Sequence, residues 1–574
     1  MTDQSIMDKW NLWLCNAGED PDLIEELRGI EGDEEQIADR FYRELEFGTG
    51  GLRGVIGAGD NRMNIYTVRK ATQGLADYLR AKYPASSAAI SFDSRIKSDR
   101  FAREAARVLA GNGIKVHLFP QLEPTPVLSF AVRRLGCQAG IMVTASHNPS
   151  QYNGYKCYGA DGCQMTDHDA GEVTEYIRRV DIFRDVRVAD YEAAKAEGLI
   201  TEIDGHLVEE FLAEVEKRQI NPGLCRKTPL SVIYTPLNGT GNVPVREILR
   251  RIGVQQVTVV PEQENPDGRF PTAPYPNPEI RQAFECALQL AETVRPDLLL
   301  ATDPDCDRVG IAVADGGGYT LMTGNEVGCL LLNYILSCRA ARGDLPENPV
   351  VVKTIVTSDL AARIAEKYGC RVVEVLTGFK YIGEQISLLE KEGHPERYVF
   401  GFEESYGYLA GDHVRDKDAV VSSMLICEMA AFYRGQGKTL LQVLDELYGE
   451  FGVFRHLQVN AAFEGEQGME TMQTLMASLR AHRPESIAGL RVLRAADYLI
   501  SESTDTATGW TTPIALPKSN VLSYTLEGGA GLVVRPSGTE PKVKAYVTAT
   551  GRDKAAADQL AATLATAAAE LLKA

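Results

Sequence analysis

In the stretch DPDCDR, Asp303, Asp305 and Asp307 alternate directly behind the apolar run LLLA. In an extended segment a period of two places all three carboxylates on one side. Three crowded anions repel one another unless a cation sits among them, and a hard divalent ion with oxygen ligands, Mg²⁺ above all, relieves that repulsion. An EF-hand is excluded because its sixth and twelfth positions, which require glycine and glutamate, hold Arg308 and Ala314. An acidic surface turn is the plain alternative, and the buried-looking run ahead of it argues for the metal loop.

A second enzymatic reading starts from the same aspartates. An apolar strand ending in Asp-x-Asp also suits phosphatases that use the first aspartate, here Asp303, as nucleophile. Those enzymes place Thr or Val two residues after the second aspartate, where this chain has Asp307.

In VTASHNPSQYNGYK, Ser146 and His147 are adjacent and Lys156 follows Asn-Gly. A Ser-His-Asp triad needs the imidazole to accept from the serine hydroxyl, a geometry that neighbouring residues seldom reach, and the GxSxG elbow is missing. A serine that carries a phosphate needs less activation, because a metal and nearby cations polarise the phosphorus. A structural turn with Ser and Asn bonding local backbone is the competing reading.

Three further stretches add ligand chemistry. VRPSGTEPK offers Arg535, Ser537, Thr539, Lys542 and backbone amides in a glycine-containing loop, a combination that cradles phosphate. FEESYG sets Glu403 and Ser405 two apart, so both can face one ligand, and carboxylate with hydroxyl suits sugar hydroxyls. FGTGGLRG brings Arg53 after a glycine run, SFDSR ends a strand at Arg95, and HVRDKD supplies local positive charge from His413, Arg415 and Lys417. Cys306 reads as an incidental small residue.

The elements that must position these groups follow one grammar three times. Residues 87–119, 230–260 and 348–376 each read as apolar strand, polar loop, helix-period run and second apolar strand, which indicates βαβ units and largely parallel sheets. Each is followed by a short strand running into a polar loop, at 139–149, 297–308 and 398–407. Ligands bind at such strand ends in open α/β sheets. The region 522–550 differs, with a Gly-Gly turn between strand-like runs and an Ala-rich helical run from about Asp553. The expected fold class is therefore α/β: three related α/β domains with mixed, largely parallel sheets (1–205, 206–320, 321–455) and a C-terminal α+β domain (456–574).

Composition narrows the function classes. The 574 residues carry a formal charge of −19, which argues against a broad nucleic-acid footprint. No run approaches the roughly 18 apolar residues of a membrane span, and the N-terminal stretch does not read as a signal peptide. Eleven scattered cysteines without a CxxC pair fit reduced thiols in a cytoplasmic protein.

TASHNP, DPDCDR, FEESYG and RPSGTEP, in this order and one per inferred domain, resemble the loops of the α-D-phosphohexomutase superfamily, specifically its phosphoglucomutase and phosphomannomutase members. The resemblance runs from about Phe47 to the C-terminus. With FGTGGLRG, NRMN and LPKSNVLSYTLEGG, the chain is similar to the longer phosphoglucomutase branch, which also contains phosphopentomutases. It implies four domains around a central cleft and a phosphoserine at Ser146.

By the same resemblance one Mg²⁺ per active site is held by Asp303, Asp305, Asp307 and an oxygen on Ser146. Lys156 transfers the proton of the attacking oxygen, His147 orients the loop or shares that proton, and Arg53 and Arg308 neutralise the moving phosphoryl group. Glu403 and Ser405 hold the sugar hydroxyls, Lys417 is expected among the substrate-binding residues, and Arg535, Ser537, Gly538 and Thr539 hold the non-reacting phosphate. The implied reaction interconverts α-D-glucose 1-phosphate and glucose 6-phosphate, with glucose 1,6-bisphosphate as intermediate and activator. Small sugar phosphates are the implied partners, and the oligomeric state stays open between monomer and homodimer.

Pro304 stands where many members have glycine, and Phe-Glu-Glu-Ser replaces Gly-Glu-x-Ser; neither change removes a ligand. Glu-Glu-Ser-Tyr is closer to glucose-preferring members, leaving pentose and mannose phosphates as rivals within the family and a metal-dependent sugar phosphatase as the rival outside it.

Overall fold

The computed structural model describes residues 4–48, 50–463, 468–537 and 542–573. The chain forms two compact units: 1–324 with 379–401 and 405–436, and 325–378 with 402–404 and 437–574.

The first unit contains two sheets built on one plan. In the first sheet, Ser87–Phe92 pairs in parallel with both Lys115–Leu118 and Ala139–Val143. Tyr152–Gly159 returns antiparallel beside Ala139–Val143, and Gly51–Val55 and Ile200–Glu202 form the edges. In the second sheet, Ser231–Thr235 pairs in parallel with Gln256–Val259 and Leu298–Thr302, and Val309–Ala314 returns antiparallel beside Leu298–Thr302. Helices Ser98–Gly111 and Asn242–Ile252 make the first crossover in each, as parallel neighbours require. The shared grammar of these two segments is thus a shared strand order, and the antiparallel return strands make both sheets mixed.

Ala139–Val143 and Leu298–Thr302 are buried along their whole length, which is why each reads as a continuous apolar run without alternation. The serine loop leaves the carboxyl end of the first and the aspartate loop that of the second. Ahead of these sheets lie helices Gln4–Asn16, Pro21–Gly29 and Glu34–Phe41. Buried Trp13 joins them to the core through edge contacts with Phe41, Tyr66 and Phe183, while its Nε1 donates to Asp60 Oδ1 at 2.8 Å.

In the second unit, Val350–Thr354 and Arg371–Val375 pair in parallel across helix Asp359–Lys367. The C-terminal part is an antiparallel sheet in the order Val453–Ala462, Lys542–Gly551, Gly531–Pro536, Leu522–Leu526, Leu490–Asp497, Glu502–Asp505, Thr511–Pro513. Apolar residues of helices Gly468–Ala481 and Lys554–Leu571 share one core with it. Gly528 and Gly529, at φ +74° and +79°, make the turn between Leu522–Leu526 and Gly531–Pro536, a left-handed path that costs glycine nothing in Cβ clash. Asp553 caps the last helix, its Oδ1 accepting from Ala556 N at 2.8 Å. Among the described residues no helix is long and apolar enough to cross a membrane, and all eleven cysteines are free thiols.

Candidate active site

Ser146 lies at φ +51°, a left-handed conformation that residues other than glycine seldom adopt. Its surroundings over-determine that conformation. Ser146 N donates to Thr144 Oγ1 at 2.8 Å, and the Thr144 hydroxyl donates to Asp93 Oδ2 at 2.6 Å. The fully buried guanidinium of Arg95 donates to the carbonyl of Ser146 and to those of Asn148, Pro149 and Tyr152 at 2.5, 2.9 and 3.1 Å. Thr144→Val leaves the Ser146 N–H without this acceptor, which is expected to lower kcat by roughly one to two orders of magnitude; steady-state kinetics beside an unchanged circular dichroism spectrum checks it.

The curl at Ser146 brings its Oγ within 3.2 Å of His147 Nδ1. The expectation that adjacent Ser and His side chains would not meet is therefore corrected, because the left-handed φ turns both toward the same side. A hydrolase triad is still not formed: the same hydroxyl donates to Asp303 Oδ2 at 2.9 Å. Burial, followed by the charges of Arg308 and Arg53, holds His147 well below the usual histidine range, so the imidazole is neutral at pH 7. Its ring nitrogen shifts are expected to stay flat in NMR between about pH 5.5 and 8, where a free histidine titrates.

After Thr302 the chain does not continue extended. Cys306, at φ +53°, donates from its N to Asp303 O at 2.9 Å, and this turn, not strand alternation, gathers the carboxylates. Oxygens of Asp303, Asp305 and Asp307 lie within 4.8 Å of one another, all three residues buried. Asp303 Oδ1 accepts from the backbone N of Asp307 and Arg308 at 3.1 and 3.0 Å. Asp305 Oδ2 accepts from Thr125 Oγ1 at 3.0 Å and Lys156 Nζ at 2.9 Å. Asp307 Oδ2 stands 3.5 Å from Lys156 Nζ and 3.1 Å from Lys417 Nζ.

A loop of the second sheet backs this turn. Thr240 N donates to Pro304 O at 2.8 Å, and a Cβ on Gly239 would sit 2.5 Å from Pro304 Cα.

No donor among the described residues reaches Asp305 Oδ1 or Asp307 Oδ1. A buried oxygen left so is costly. Burial, then repulsion from Asp305 and Asp307, pushes the Asp303 carboxyl well up, whereas at Asp305 the charges of Lys156 and Lys417 overcome burial and hold it down. Three buried carboxylates, two with an oxygen that accepts no hydrogen bond, Asp307 Oδ1 having only Arg308 Nε at 3.8 Å, and a hydroxyl beside them form the hard-oxygen donor set that a divalent cation takes. The residues fit a metal site.

The expected cations gather here unequally. Lys156 would need a lowered pKa to act as a base, but although burial pulls it down, Asp305 and Asp307 outweigh burial and raise it. It is held as an ammonium. Lys417, expected to bind substrate, stands at Asp307 and also bonds Asp416 Oδ1 at 3.0 Å. Arg308 Nη1 donates to Glu279 Oε1 at 2.7 Å, and Arg53 Nη1 to Asn148 Oδ1 at 3.2 Å.

His413 and Arg415 do not join this cluster. His413 Nε2 bonds Asp418 Oδ2 at 2.8 Å, and Arg415 bonds Glu390 Oε2 at 2.8 Å. Their loop bends, so residues two apart do not share a side.

The second unit carries the remaining expected residues apart from Ser405, which belongs to the first. Buried Glu403 accepts from Gly378 N at 2.8 Å. Burial, then the charge of Glu404, pushes the Tyr546 phenol up against the opposing charge of Arg535. Ser537 N donates to Lys542 O at 2.7 Å, and Gly538 and Thr539 lie outside the described residues.

Sequence reasoning missed Asp93, Thr144, Thr125, Glu279 and Asp416. Asp93 and Thr144 each stand one residue past a buried strand, a position that could have marked them. Thr125 and Glu279 sit in the proline-rich stretches LEPTP and PYPNPE, which show no periodicity to read.

The chain belongs to the phosphoglucomutase/phosphomannomutase family: its three alpha/beta/alpha domain families match residues 44–182, 209–317 and 323–451, and its C-terminal domain family matches 477–567. It is 38% identical over 509 residues to a phosphoglucomutase of Staphylococcus haemolyticus, covering 88% of this chain and 91% of that protein. To a phosphoglucomutase of Staphylococcus saprophyticus it is 36% identical over 539 residues, covering 93% and 95%. In fold it is similar to the open form of parafusin, a phosphoglucomutase from Paramecium, with a TM-score of 0.68 at 17% identity over 92% of this chain and 96% of that one. A phosphoglucomutase/phosphomannomutase family protein from Burkholderia thailandensis gives 0.64 at 19% identity, covering 91% and 97%.

Proposed function

We propose that this protein is a phosphoglucomutase that interconverts α-D-glucose 1-phosphate and glucose 6-phosphate through a phosphoserine at Ser146 and glucose 1,6-bisphosphate. The observation that carries the reading is the buried Ser146 hydroxyl, 2.9 Å from the first of three clustered carboxylates, in a chain 36–38% identical to proteins named phosphoglucomutase. One Mg²⁺ would be held by Asp303, Asp305, Asp307 and an oxygen on Ser146, and when bound it supplies Lewis-acid charge to the phosphoryl group.

The chain's own groups supply the proton transfers. With Ser146 free, its Oγ attacks phosphorus of the bisphosphate, forming the P–Oγ bond as the bond to the sugar oxygen breaks. As that hydroxyl turns from Asp303 to His147, whose Nδ1 stands 3.2 Å away, the neutral imidazole takes its proton. Lys156, held as an ammonium, has the proton for the departing sugar oxygen. The other half-reaction runs through the same two groups in reverse, as general acid–base catalysis at one site requires. Arg53 and Arg308 balance the charge of the moving group, Lys417 adds positive charge beside Asp307, Glu403 and Ser405 take the sugar, and Arg535, Ser537, Gly538 and Thr539 take the phosphate that does not react.

Four domains with boundaries near 205, 320 and 455, and a cytoplasmic location in keeping with the free thiols, complete the proposal. Phosphorus NMR with Mg²⁺, glucose 1-phosphate and a trace of glucose 1,6-bisphosphate tests it. Glucose 6-phosphate should grow without inorganic phosphate, whereas inorganic phosphate as main product would favour a phosphatase with Asp303 as nucleophile. Relative kcat/KM for glucose, mannose and pentose phosphates then checks the glucose preference read from Glu403-Glu404-Ser405-Tyr406.

A further inference from the structure

Between strands Gln256–Val259 and Leu298–Thr302 the second sheet sends out a proline-rich stretch, 265–281, that reaches both the serine loop and the aspartate turn. Gly268 bridges to Arg95, and the buried Phe270 ring lies 5.1 Å from the Arg95 guanidinium that holds the Ser146 carbonyl. The Tyr275 ring meets His147 edge-on with centroids 6.1 Å apart. At the end of the stretch Glu279 Oε1 accepts from Arg308 Nη1 at 2.7 Å.

The backbone at Glu279 is held firmly. Pro271, Pro274, Pro276 and Pro278 fix φ along the approach, and the side chain of buried Asn277 accepts from Glu279 N at 3.0 Å. A Cβ on Gly310 would sit 2.4 Å from Pro278 O, so this backbone lies directly on strand Val309–Ala314, which starts one residue after Arg308.

Arg308 stands between two carboxylates. Its Nη1 is engaged by Glu279, while its Nε lies 3.8 Å from Asp307 Oδ1, beyond hydrogen-bond range. An arginine fork closes bidentately on a carboxylate where geometry allows, and a fork closed on Asp307 would occupy the oxygen that accepts no hydrogen bond. Lys156 and Lys417 already stand 3.5 and 3.1 Å from Asp307 Oδ2. A third cation on Oδ1 would leave Asp307 little charge to offer a metal.

We propose that Glu279 is a positioning residue that holds Arg308 off Asp307, leaving Asp307 Oδ1 to the cation and the guanidinium to the moving phosphoryl group. The inference rests on the metal site and the phosphoryl transfer proposed above.

Calorimetric Mg²⁺ titration of the full chain without substrate tests the first half. Glu279→Ala is expected to weaken Mg²⁺ binding by about fivefold, and Glu279→Gln, whose amide oxygen accepts the same hydrogen bond, should stay within about twofold of the unsubstituted protein. In an Arg308→Leu background Glu279→Ala should change nothing further, because the group it restrains is gone. At saturating Mg²⁺, Glu279→Ala should lower kcat for glucose 1-phosphate by about tenfold and leave KM within about twofold.

Equal Mg²⁺ affinity in Glu279→Ala and the unsubstituted protein overturns the proposal. A loss that persists without Arg308, or is as large in Glu279→Gln, assigns the effect to bare charge and overturns it as well. Weaker Mg²⁺ binding beside an unchanged kcat overturns the aiming of Arg308. No Mg²⁺ uptake by the unsubstituted protein overturns the metal site and this inference together, whereas inorganic phosphate as its product overturns the mutase reading and leaves the Mg²⁺ comparison to decide the role of Glu279.

Discussion

Ser146→Ala is expected to lower turnover of glucose 1-phosphate by roughly 10⁴-fold or more, the scale seen when a covalent nucleophile is removed from its enzyme. The hydroxyl is the atom that the site is built around. Its backbone N–H, its carbonyl and its Oγ are each engaged, by Thr144, Arg95 and Asp303 respectively. Alanine keeps the first two and loses the third, so the loop should persist while the proposed acceptor of the phosphoryl group is gone. Because Ser146 sits at φ +51°, Ser146→Gly is the informative companion: glycine takes this conformation without strain, and it should be as inactive as alanine. Coupled turnover assays and the phosphorus NMR signal of the phosphoserine read the result. Retained phosphate release in either variant would point to Asp303 as nucleophile.

The second large effect concerns the three carboxylates. Asp303→Asn and Asp305→Asn are each expected to lower kcat by about 10³-fold, since a Lewis-acid cation contributes several kcal/mol to the barrier, and calorimetric Mg²⁺ titration should show affinity falling at least tenfold. Their effects on the metal-free protein should have opposite signs. Asp303 has its pKa raised in the fold, so its ionised form opposes folding, and stability falls as pH rises through that raised value. Asparagine removes this repulsion, and Asp303→Asn should raise Tm at pH 7. Asp305 is held down by Lys156 and Lys417, so its charge stabilises the fold above the ordinary carboxylate range and that stability is lost toward acid. Asp305→Asn leaves the buried Lys156 with Asp307 at 3.5 Å and should lower Tm. Thermal unfolding in excess chelator checks both signs, and a drop in Tm for both variants would contradict this account of the cluster.

Much of the architecture was legible beforehand. Strand-to-loop transitions at Val143 and Thr302 stand out because continuous apolar runs mark strands buried on both faces. The Gly-Gly turn at 528 and 529 and the cap at Asp553 follow from backbone conformation and local hydrogen bonding, which neighbouring residues decide. The antiparallel return strands were not legible, since Tyr152–Gly159 and Val309–Ala314 pair with strands chosen by the whole sheet. The aspartate cluster was read from a period-two argument, yet a turn with left-handed Cys306 assembles it. The residue types implied the chemistry even where the local geometry differed.

By itself the sequence determined which groups are available, where strands hand over to loops, and the order of those loops, because covalent order and local periodicity require no long-range contact. Only the tertiary structure decided that Ser146 faces Asp303, 157 residues away, and that Lys156 meets Asp305, 149 residues away. The protonation of Lys156 and His147 was decided there too. Whether carboxylates or guanidinium groups surround a buried nitrogen depends on through-space distance, and in this molecule it leaves the lysine charged and the histidine neutral.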